Sequence, residues 1–403
     1  MNFLFVHQNF PGQFKNLAPE LAKNTDNRVI AICSKQQAAI SNIEYYSYHI
    51  KNSYNTHPLL IEEYSKIIRA EGVLRVAKKL LKDGFKPDVI YVHPGWGEGL
   101  FLREIWPNAY IIGYFEYFYR DKRQDFGFDP EYPTSEHQKY LLRLKNNSNY
   151  QSLEYCDSGI SPTKWQRSTY PKWAQKQISI IHDGIDTKIC QPNANQKILL
   201  EKDNLCLSKS EQVVTFVARN LEPLRGFCQF MRALPFLLEK YPKAHFLIVG
   251  RDDVGYGAKL LPGNSYKKKM LEEVGEQLEP KRVHFLGHLS YDDYLKVLQV
   301  SSVHYYATYP FVISWSLLEA MSCGCAIAAA NVDPVNEFIQ NKANGLVFDF
   351  FDINSIVLVI SQLLDDKMLR KKLGKQARKT IKSEYSLQDC IKRHKKFIKS
   401  KIN

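Results

Sequence analysis

Cysteine is scarce in this sequence, with 8 among 403 residues, and the two closest to each other are Cys323 and Cys325. No other cysteine or histidine stands near enough to that pair to complete a zinc site at the usual ligand spacing. The low count excludes a disulfide-stapled scaffold. It predicts small buried thiols in a reducing compartment.

Long apolar runs are also missing. The longest, residues 303–318, is interrupted by His304 and Pro310, so no segment reaches the ~20 apolar residues that a membrane span needs. The opening residues MNFLFVHQNF lack the basic region and the small-residue cleavage site of a signal peptide. We therefore expect a cytoplasmic protein, with peripheral contact at the inner face of the cell membrane as a further option.

Acidic residues are in deficit, because 42 Asp and Glu against 55 Lys and Arg give a net charge of +13. Much of the excess lies in Arg75–Lys86 and in the tail that begins at Lys371. Such a charge suits nucleic acid, an anionic membrane or a small phosphorylated substrate. Neither segment carries a nucleic-acid-binding signature, so we expect no specific nucleic-acid partner. We interpret both as solvated helix faces, with an anionic membrane surface as the alternative.

What the sequence does contain is an alternation of short apolar runs with helical patterns, in a globular composition of 44% hydrophobic and 24% charged residues. Strands are predicted at 2–7, 29–33, 88–93, 109–115 and 158–162, and then at 213–218, 245–250, 283–287, 303–307 and 325–330. Helices are predicted at 62–82, 227–240, 266–277, 291–300 and 315–321. This alternation predicts parallel sheets that helices cover on both faces.

The alternation stops once and then starts afresh with five strands. Residues 190–210 between the two stretches are polar and carry no strand signal, so we place a domain boundary nearby. We predict an α/β fold of two Rossmann-like, doubly wound parallel-sheet domains facing a cleft. They span residues 1–188 and 189–385, and a C-terminal helix, 386–403, packs back on the first domain.

Ligands of such sheets bind outside the carboxyl ends of the strands. In the first half, Gly12 and Gln13 follow the first strand, and His93 and Gly95 stand in the loop HPGWGEG, with His93 and Glu98 at its rim. Glycines there let the backbone approach an anion or a sugar, although a tight turn explains them equally well. No G-x-G-x-x-G is present, so a dinucleotide is not indicated.

Glu116 follows the strand 109–115 among aromatic residues that include Tyr117. A carboxylate in such surroundings needs a partner or a function, and aromatic rings also suit the faces of a sugar. The alternative is an ion pair with Arg120 or Lys122. Apolar surroundings would raise the pKa of Glu116 unless a cation compensates, so we expect titration near neutrality.

In the second half, Arg219 and Arg225 bracket the loop after the first strand. Two guanidiniums there could hold a diphosphate, whereas surface salt bridges are the alternative. Ser314 and Ser316 precede a helix, whose first N–H groups and dipole favour phosphate. Glu319 lies one turn further and could accept hydrogen bonds from ribose hydroxyls.

Taken in order, these segments resemble the family four, retaining glycosyltransferases of the GT-B fold over about residues 1–385. The motifs are FVHQNFPGQF, HPGWGE, GYFEYFYR, GFDPEYP, SGISPTKWQR, IIHDGID, FVARNLEPLRGF, HFLIVG, VHFLGHLS, SLLEAMSCGCAIAAANVDPVNEFI and NGLVFD. The first four are similar to one bacterial subgroup of that family.

The resemblance implies roles for individual residues. Arg219 and Arg225 match the basic pair on the donor diphosphate, although the second is more often lysine. Glu319 matches the second glutamate of a paired motif, which holds the ribose. The first glutamate, which normally contacts the donor sugar, would fall at Phe311. Glu116 replaces the family's usual histidine near the reacting carbon.

Further residues are implied on both sides of the reaction. On the nucleotide side, the phosphate-binding turn corresponds to Ile313, Ser314, Trp315 and Ser316, and the loop beside the nucleobase to Leu286, Gly287, His288 and Leu289. On the acceptor and donor-sugar side, the matching residues are Gly12, Gln13, His93, Gly95 and Tyr117.

The implied reaction moves a sugar, with retention, from a nucleotide-diphosphate sugar such as a UDP-sugar to a glycan, lipid-linked saccharide or protein acceptor. The first domain would bind the acceptor and the second the donor. Two arginines and a helix N-terminus can stabilise the leaving phosphate, so neither a metal ion nor a cofactor is expected.

Other functions stay open at this point. Phe311 in place of a glutamate makes a non-catalytic sugar-nucleotide-binding protein a real alternative. A GT-B enzyme of another type is the second alternative, such as a sugar-nucleotide epimerase or a polymerase. The lack of a second histidine-rich site argues weakly against the epimerase.

Overall fold

The computed structural model describes residues 1–34, 39–50, 56–201, 204–258 and 260–402. The chain divides into two compact units: Met1–Gly184 with Leu387–Asn403, which we call the N-unit, and Ile185–Ser386, which we call the C-unit. The C-terminal helix therefore belongs to the N-unit, although it follows the C-unit in sequence.

The strands are β1 Asn2–Val6, β2 Arg28–Cys33, β3 Ile43–Ser47, β4 Val89–Val92, β5 Tyr110–Tyr114, β6 Ser158–Ser161, β7 Ile178–Ile180, β8 Lys197–Leu200, β9 Leu205–Ser208, β10 Val213–Asn220, β11 His245–Arg251, β12 Val283–Gly287, β13 Val303–Tyr306, β14 Ala326–Ala330 and β15 Leu346–Phe348.

The helices are α1 Leu17–Ala22, α2 Ile61–Lys82, α3 Leu102–Ile105, α4 Glu136–Lys145, α5 Asn147–Tyr155, α6 Lys164–Thr169, α7 Phe227–Lys240, α8 Tyr266–Val274, α9 Tyr291–Val300, α10 Trp315–Ser322, α11 Asp333–Asn336, α12 Ile353–Asp365, α13 Lys367–Glu384 and α14 Leu387–Ile402. The predicted bounds of α7, β12 and α9 are confirmed to the residue.

The N-unit is built on a parallel sheet which, across the described ranges, has seven strands in the order β3-β2-β1-β4-β5-β6-β7. Alternate residues of β1 enter different cores: Leu4 and Val6 pack on one side, and Phe3 and Phe5 on the other. Both faces are thus covered, as the continuous apolar runs predict. The edge strand β3 was not predicted, because its sequence IEYYS lacks such a run.

Helix α14 is anchored on the N-unit by apolar and charged contacts. Ile391 and Ile398 belong to the same buried cluster as Leu17. Nζ of Lys395 lies 2.9 Å from Oε1 of Glu20, near the start of the chain. These contacts hold the C-terminal helix against α1, which spans Leu17–Ala22.

The C-unit has a parallel sheet with, in the described part of the unit, six strands in the order β12-β11-β10-β13-β14-β15. The prediction of five strands is wrong, because β15 is a three-residue strand and too short to give a periodic signal. The prediction that residues 190–210 hold no strand is also wrong. Strands β8 and β9 form an antiparallel hairpin there, and Ile198, Leu200 and Leu207 pack beside Val213.

The predicted fold class of two doubly wound parallel-sheet domains is confirmed. The described helices include none that is both long and apolar enough to cross a membrane. Of the eight cysteines, all in described ranges, seven are buried. Cys206 is exposed, so the prediction of buried thiols is wrong for that residue.

Candidate functional site

In the N-unit, the ends of three neighbouring strands bring polar residues together. Strands β1 and β4 pair in parallel, and so do β4 and β5. His7, His93 and Glu116 stand at or just beyond their carboxyl ends. Because parallel strands end at the same edge of a sheet, the three side chains converge. The ring centroids of His7 and His93 are 5.6 Å apart, and Nε2 of His93 lies 3.4 Å from Oε2 of Glu116.

A series of hydrogen bonds in the loop after β1 also connects His7 to Glu116. The backbone N–H of Asn9 donates to Nδ1 of His7 at 3.0 Å, and Nε2 of His7 lies 2.8 Å from Oε1 of Gln13. Nε2 of Gln13 then donates to Oε1 of Glu116 at 2.9 Å. Gly12 permits this packing, because its φ is +46° and a Cβ there would lie 2.5 Å from the His7 ring. The loop thus joins His7 to Glu116.

The environment of Glu116 differs from both expectations. Burial acts to raise the pKa of its carboxyl, but contacts with His93 and Gln13 outweigh burial and bring that pKa below its ordinary value. The prediction of titration near neutrality is therefore wrong. The alternative, an ion pair with Arg120 or Lys122, is also not what the structure has: the contacts of Glu116 are His93 and Gln13, and Nε of Arg120 donates to the carbonyl of Thr169. Glu116 is an ionised group at neutral pH, and 26% of its side chain is exposed.

Aromatic rings enclose His93. Its imidazole stacks on Tyr114, with centroids 5.8 Å apart, and on Trp96, with centroids 6.0 Å apart. Trp96 is 40% exposed and was not predicted, although its place in HPGWGEG is a usable signal. A Cβ at Gly95 would lie 3.2 Å from the His93 ring, so a glycine gives that ring room.

Two residues that were predicted beside this cluster, Glu98 and Tyr117, are buried and form hydrogen bonds inside the N-unit. Glu98 is 1% exposed and accepts a hydrogen bond from the Tyr48 hydroxyl at 2.8 Å, so it does not stand at the rim. Burial raises its pKa. Tyr117 is buried and donates to Oδ1 of Asp125 at 2.6 Å.

In the C-unit, the two predicted arginines differ in environment. Arg219 is exposed at the end of β10, whereas Arg225 is only 9% exposed. Nη1 of Arg225 donates to Oγ1 of Thr308 and to the carbonyl of Val312, both at 3.0 Å. Both acceptors are uncharged, so they satisfy donors of the guanidinium without neutralising its charge.

Two rings flank the Arg225 guanidinium. Its central carbon lies 5.6 Å from the centre of Tyr256 and 5.8 Å from that of Phe311. The loop that carries Tyr256 is held by Glu222, which is 1% exposed. Its Oε2 accepts from the N–H groups of residues 255, 256 and 257 at 2.9–3.2 Å. Glu222 and Tyr256 were not predicted as site residues. The two glycines of VGYG, which flank Tyr256, are the feature of the sequence that could have indicated this loop.

The N-terminus of α10 lies just after Val312. Oγ of Ser314 caps the helix by accepting from the N–H of Ser316 at 3.3 Å, and the N–H of Ser314 donates to the Tyr306 hydroxyl at 3.0 Å. Trp315 is half-buried as the first residue of the helix. The helix therefore starts at the predicted turn, with its positive dipole end beside the loop that Arg225 holds.

One turn into α10, Glu319 is 6% exposed and accepts two tyrosine hydroxyls. Tyr291 donates to Oε1 at 3.0 Å and Tyr294 to Oε2 at 2.6 Å, both from α9. The two tyrosines were not predicted, although their spacing of three residues places them on one helix face.

The remaining predicted nucleotide-side residues lie at the end of β12 and in loops of the C-unit. Gly287 ends β12 with φ +65°, which favours glycine, and His288 after it is exposed. Leu289 and Ile313 are half-buried.

Comparison with known families gives two matches. Residues 25–190 match the family described as "Glycosyl transferase family 4 group", and residues 201–380 match "Glycosyl transferases group 1". Among curated relatives, the chain is 26% identical over 213 residues to the UDP-Gal:alpha-D-GlcNAc-diphosphoundecaprenol alpha-1,3-galactosyltransferase of Escherichia coli. That alignment covers 52% of this chain and 51% of the relative. The chain thus spans about half the length of the curated relatives it matches.

Solved structures resemble the whole chain. Sucrose-phosphate synthase from Thermosynechococcus elongatus superposes with a TM-score of 0.76 at 17% identity, covering 99% of this chain and 98% of the other. HepE of Anabaena in complex with UDP-glucose superposes with a TM-score of 0.70 at 14% identity, and the superposition covers 99% of this chain and 100% of HepE. At these identities the likeness establishes the fold.

Proposed function

We propose that this chain moves a sugar from a nucleotide-diphosphate sugar to an acceptor nucleophile, and the matches of its two halves to glycosyltransferase families support this proposal. The observation that carries this proposal is the buried charge of Arg225. Its guanidinium holds the loop that leads directly into the N-terminus of α10. A buried cation beside a helix N-terminus is a strong anion site.

The leaving group explains why such a site is useful. Breaking the bond between sugar and diphosphate develops negative charge on the phosphate and positive character on the ring. Arg225 and the first N–H groups of α10, with Ser314 and Ser316, stabilise that negative charge by fixed donors. Arg219, exposed at the end of β10, supplies a second guanidinium once the donor is bound. The transfer on this proposal needs neither a metal ion nor a cofactor.

The nucleotide binds through Glu319 and the loop after β12. Each carboxylate oxygen of Glu319 accepts one tyrosine hydroxyl and keeps a lone pair for a ribose hydroxyl. Residues 287–289 lie beside the nucleobase. A UDP-sugar is the proposed donor, because the Escherichia coli relative is named for UDP-Gal and HepE was solved with UDP-glucose.

The N-unit binds the acceptor and contributes Glu116. An ionised carboxylate stabilises positive charge on the sugar ring by electrostatics, without a covalent intermediate. Gln13 and His93 contact Glu116 directly, and Gly12 and Gly95 give the His7 and His93 rings their room. The proposed stereochemical outcome is retention, which NMR of the product's anomeric proton tests.

A lipid-linked saccharide is the proposed acceptor, with peripheral contact at the inner, cytoplasmic face of the membrane. The Escherichia coli relative is named for a diphosphoundecaprenol acceptor. On α14, Lys392, Lys396 and Lys399 are exposed on one face, which suits anionic lipid. Flotation with liposomes with and without anionic lipid tests this contact. Binding that salt does not weaken, or no binding, leaves only a solvated helix face.

Two steps test the proposed function itself. A thermal-shift screen of UDP-, GDP- and ADP-sugars should identify one stabilising donor, and an assay for nucleoside diphosphate release should then show turnover in the presence of EDTA. Stabilisation without release would favour the non-catalytic binder, and interconversion of the sugar without release would favour an epimerase.

A further inference from the structure

The hydrogen bonds from Asn9 to Glu116 have a fixed direction. A backbone N–H can only donate, so Nδ1 of His7 accepts from Asn9. Burial lowers the pKa of His7 to about 4, so its ring is neutral and the hydrogen is on Nε2. Oε1 of Gln13 must then accept from His7, which turns the amide NH₂ group towards Glu116. Glu116, the last residue in this series of hydrogen bonds, is therefore a carboxylate that accepts a hydrogen bond from Gln13.

The two oxygens of Glu116 are each used only in part. Oε1 accepts from Gln13, and Oε2 lies 3.4 Å from Nε2 of His93. A carboxylate oxygen has two lone pairs, so one remains on each, and 26% of the side chain is exposed. We propose that Gln13 is the positioning residue that presents Glu116 as an ionised acceptor for a substrate hydroxyl. This inference rests on the proposed function and names the group that Glu116 recognises.

Most of the groups that face Glu116 are uncharged near neutral pH. His7 is neutral above about pH 4, and His93 faces Oε2. Burial raises the pKa of the Tyr114 and Tyr170 hydroxyls well above the ordinary value, so both are neutral. Gln166, which is uncharged, donates to the backbone carbonyl of Glu116. Loss of the Gln13 donor should therefore raise the pKa of Glu116.

Two substitutions remove that donor in different ways. Gln13→Leu removes the amide, and Gln13→Glu keeps its size while placing a second carboxylate against Glu116. The matched control is Gln175→Glu in the same unit, where the amide donates to the carbonyl of Tyr170 at 2.8 Å. All three are made in the full chain, and thermal melting confirms folding.

The first readout does not need activity. With ¹³C-labelled glutamate, the side-chain carboxyl resonance that disappears in Glu116→Gln reports the titration of Glu116. Its midpoint should move to higher pH in Gln13→Leu, further in Gln13→Glu, and not in Gln175→Glu. An unchanged midpoint in both Gln13 variants would overturn the inference, and Gln13→Glu decides it if Gln13→Leu does not fold.

The second readout uses the donor that the screen identifies. In Gln13→Leu, kcat should fall about tenfold, the loss of one hydrogen bond to a charged group. The acid limb of the kcat/KM profile should move to higher pH, while KM for the donor stays within about twofold. A wild-type chain that turns over no nucleotide sugar contradicts the proposed function, whereas the NMR titration still decides the role of Gln13.

Discussion

The guanidinium carbon of Arg225 lies 5.8 Å from the centre of the Phe311 ring, at the position where the resembled family carries a glutamate. A carboxylate so close would pair with Arg225 and cancel much of its charge. Phenylalanine instead offers the face of its ring, which a cation also favours. The exchange removes an acceptor for sugar hydroxyls but keeps Arg225 available to an anion.

Phe311→Glu should therefore weaken nucleotide binding. We expect the Kd for the nucleoside diphosphate to rise about tenfold, because the new carboxylate neutralises Arg225 and repels the phosphates. Phe311→Leu is the control, since it removes the ring without adding charge. Calorimetric titration measures both. Equal affinities of the Glu and Leu variants would contradict this account of the site.

Arg225→Ala should lower turnover by ~2–4 kcal/mol of transition-state stabilisation, because a charge-assisted contact to the leaving phosphate is lost. The control is Arg232→Ala, whose guanidinium forms a surface ion pair with Glu273 at 2.5 Å. Because Arg225 also holds Thr308 and Val312, melting temperatures of both variants are compared. Turnover within a few fold of wild type for Arg225→Ala would remove the diphosphate assignment.

Glu319→Ala should raise KM for the donor more than it lowers kcat. A carboxylate on the ribose acts equally in the ground state and the transition state, so its loss costs binding. The Kd for the free nucleoside diphosphate should rise about tenfold. Glu272→Ala, at an exposed position of α8, is the control. If the affinity of every nucleoside diphosphate is unchanged, Glu319 serves only to hold Tyr291 and Tyr294.

Glu116→Gln keeps the shape of the side chain and removes its charge. Turnover should fall ~10²-fold or more if that charge stabilises the transition state. Nucleotide affinity and melting temperature should change little, because Glu116 lies in the N-unit. Glu154→Gln, at an exposed site of α5, is the matched control. Near-normal turnover, or a variant that unfolds, would return Glu116 to a structural role.

The chain should lose stability as the pH falls from about 6.5 towards 4. Burial lowers the pKa of His7 and His394 to about 4 and that of His182 and His304 to about 3, from an ordinary value of 6.5. Below pH 6.5 the unfolded chain binds protons that the folded chain does not bind. The free energy of unfolding therefore falls, by about 1.4 kcal/mol per pH unit for each histidine.

Urea unfolding at a series of pH values measures this fall. His304→Gln removes one of the four groups and should make the decline shallower, whereas His137→Gln, at an exposed position of α4, should not. A stability that is flat between pH 6.5 and 4 would mean that the buried histidines become protonated without cost.

The sequence by itself determined the architecture and the segments in which function lies. Buried parallel strands require continuous apolar runs, and the helices between them require amphipathic patterns, so both are readable in the chain. Turns that need glycine or a helix cap are equally local, as at Gly12 and Ser314. Short elements such as β15 and the edge strand β3 were not predicted, because a few residues without a long apolar run give no periodic signal.

Only the tertiary structure decided which side chains meet. Gln13 and Glu116 are 103 residues apart, and their contact depends on β1 lying beside β4 and β4 beside β5. The apolar pattern does not encode that order, because every buried parallel strand resembles the next. The direction of the Glu116 pKa follows from the same contacts, since burial alone would raise it and the contacts with His93 and Gln13 lower it. Strand order thus converts separately readable motifs into one charged site.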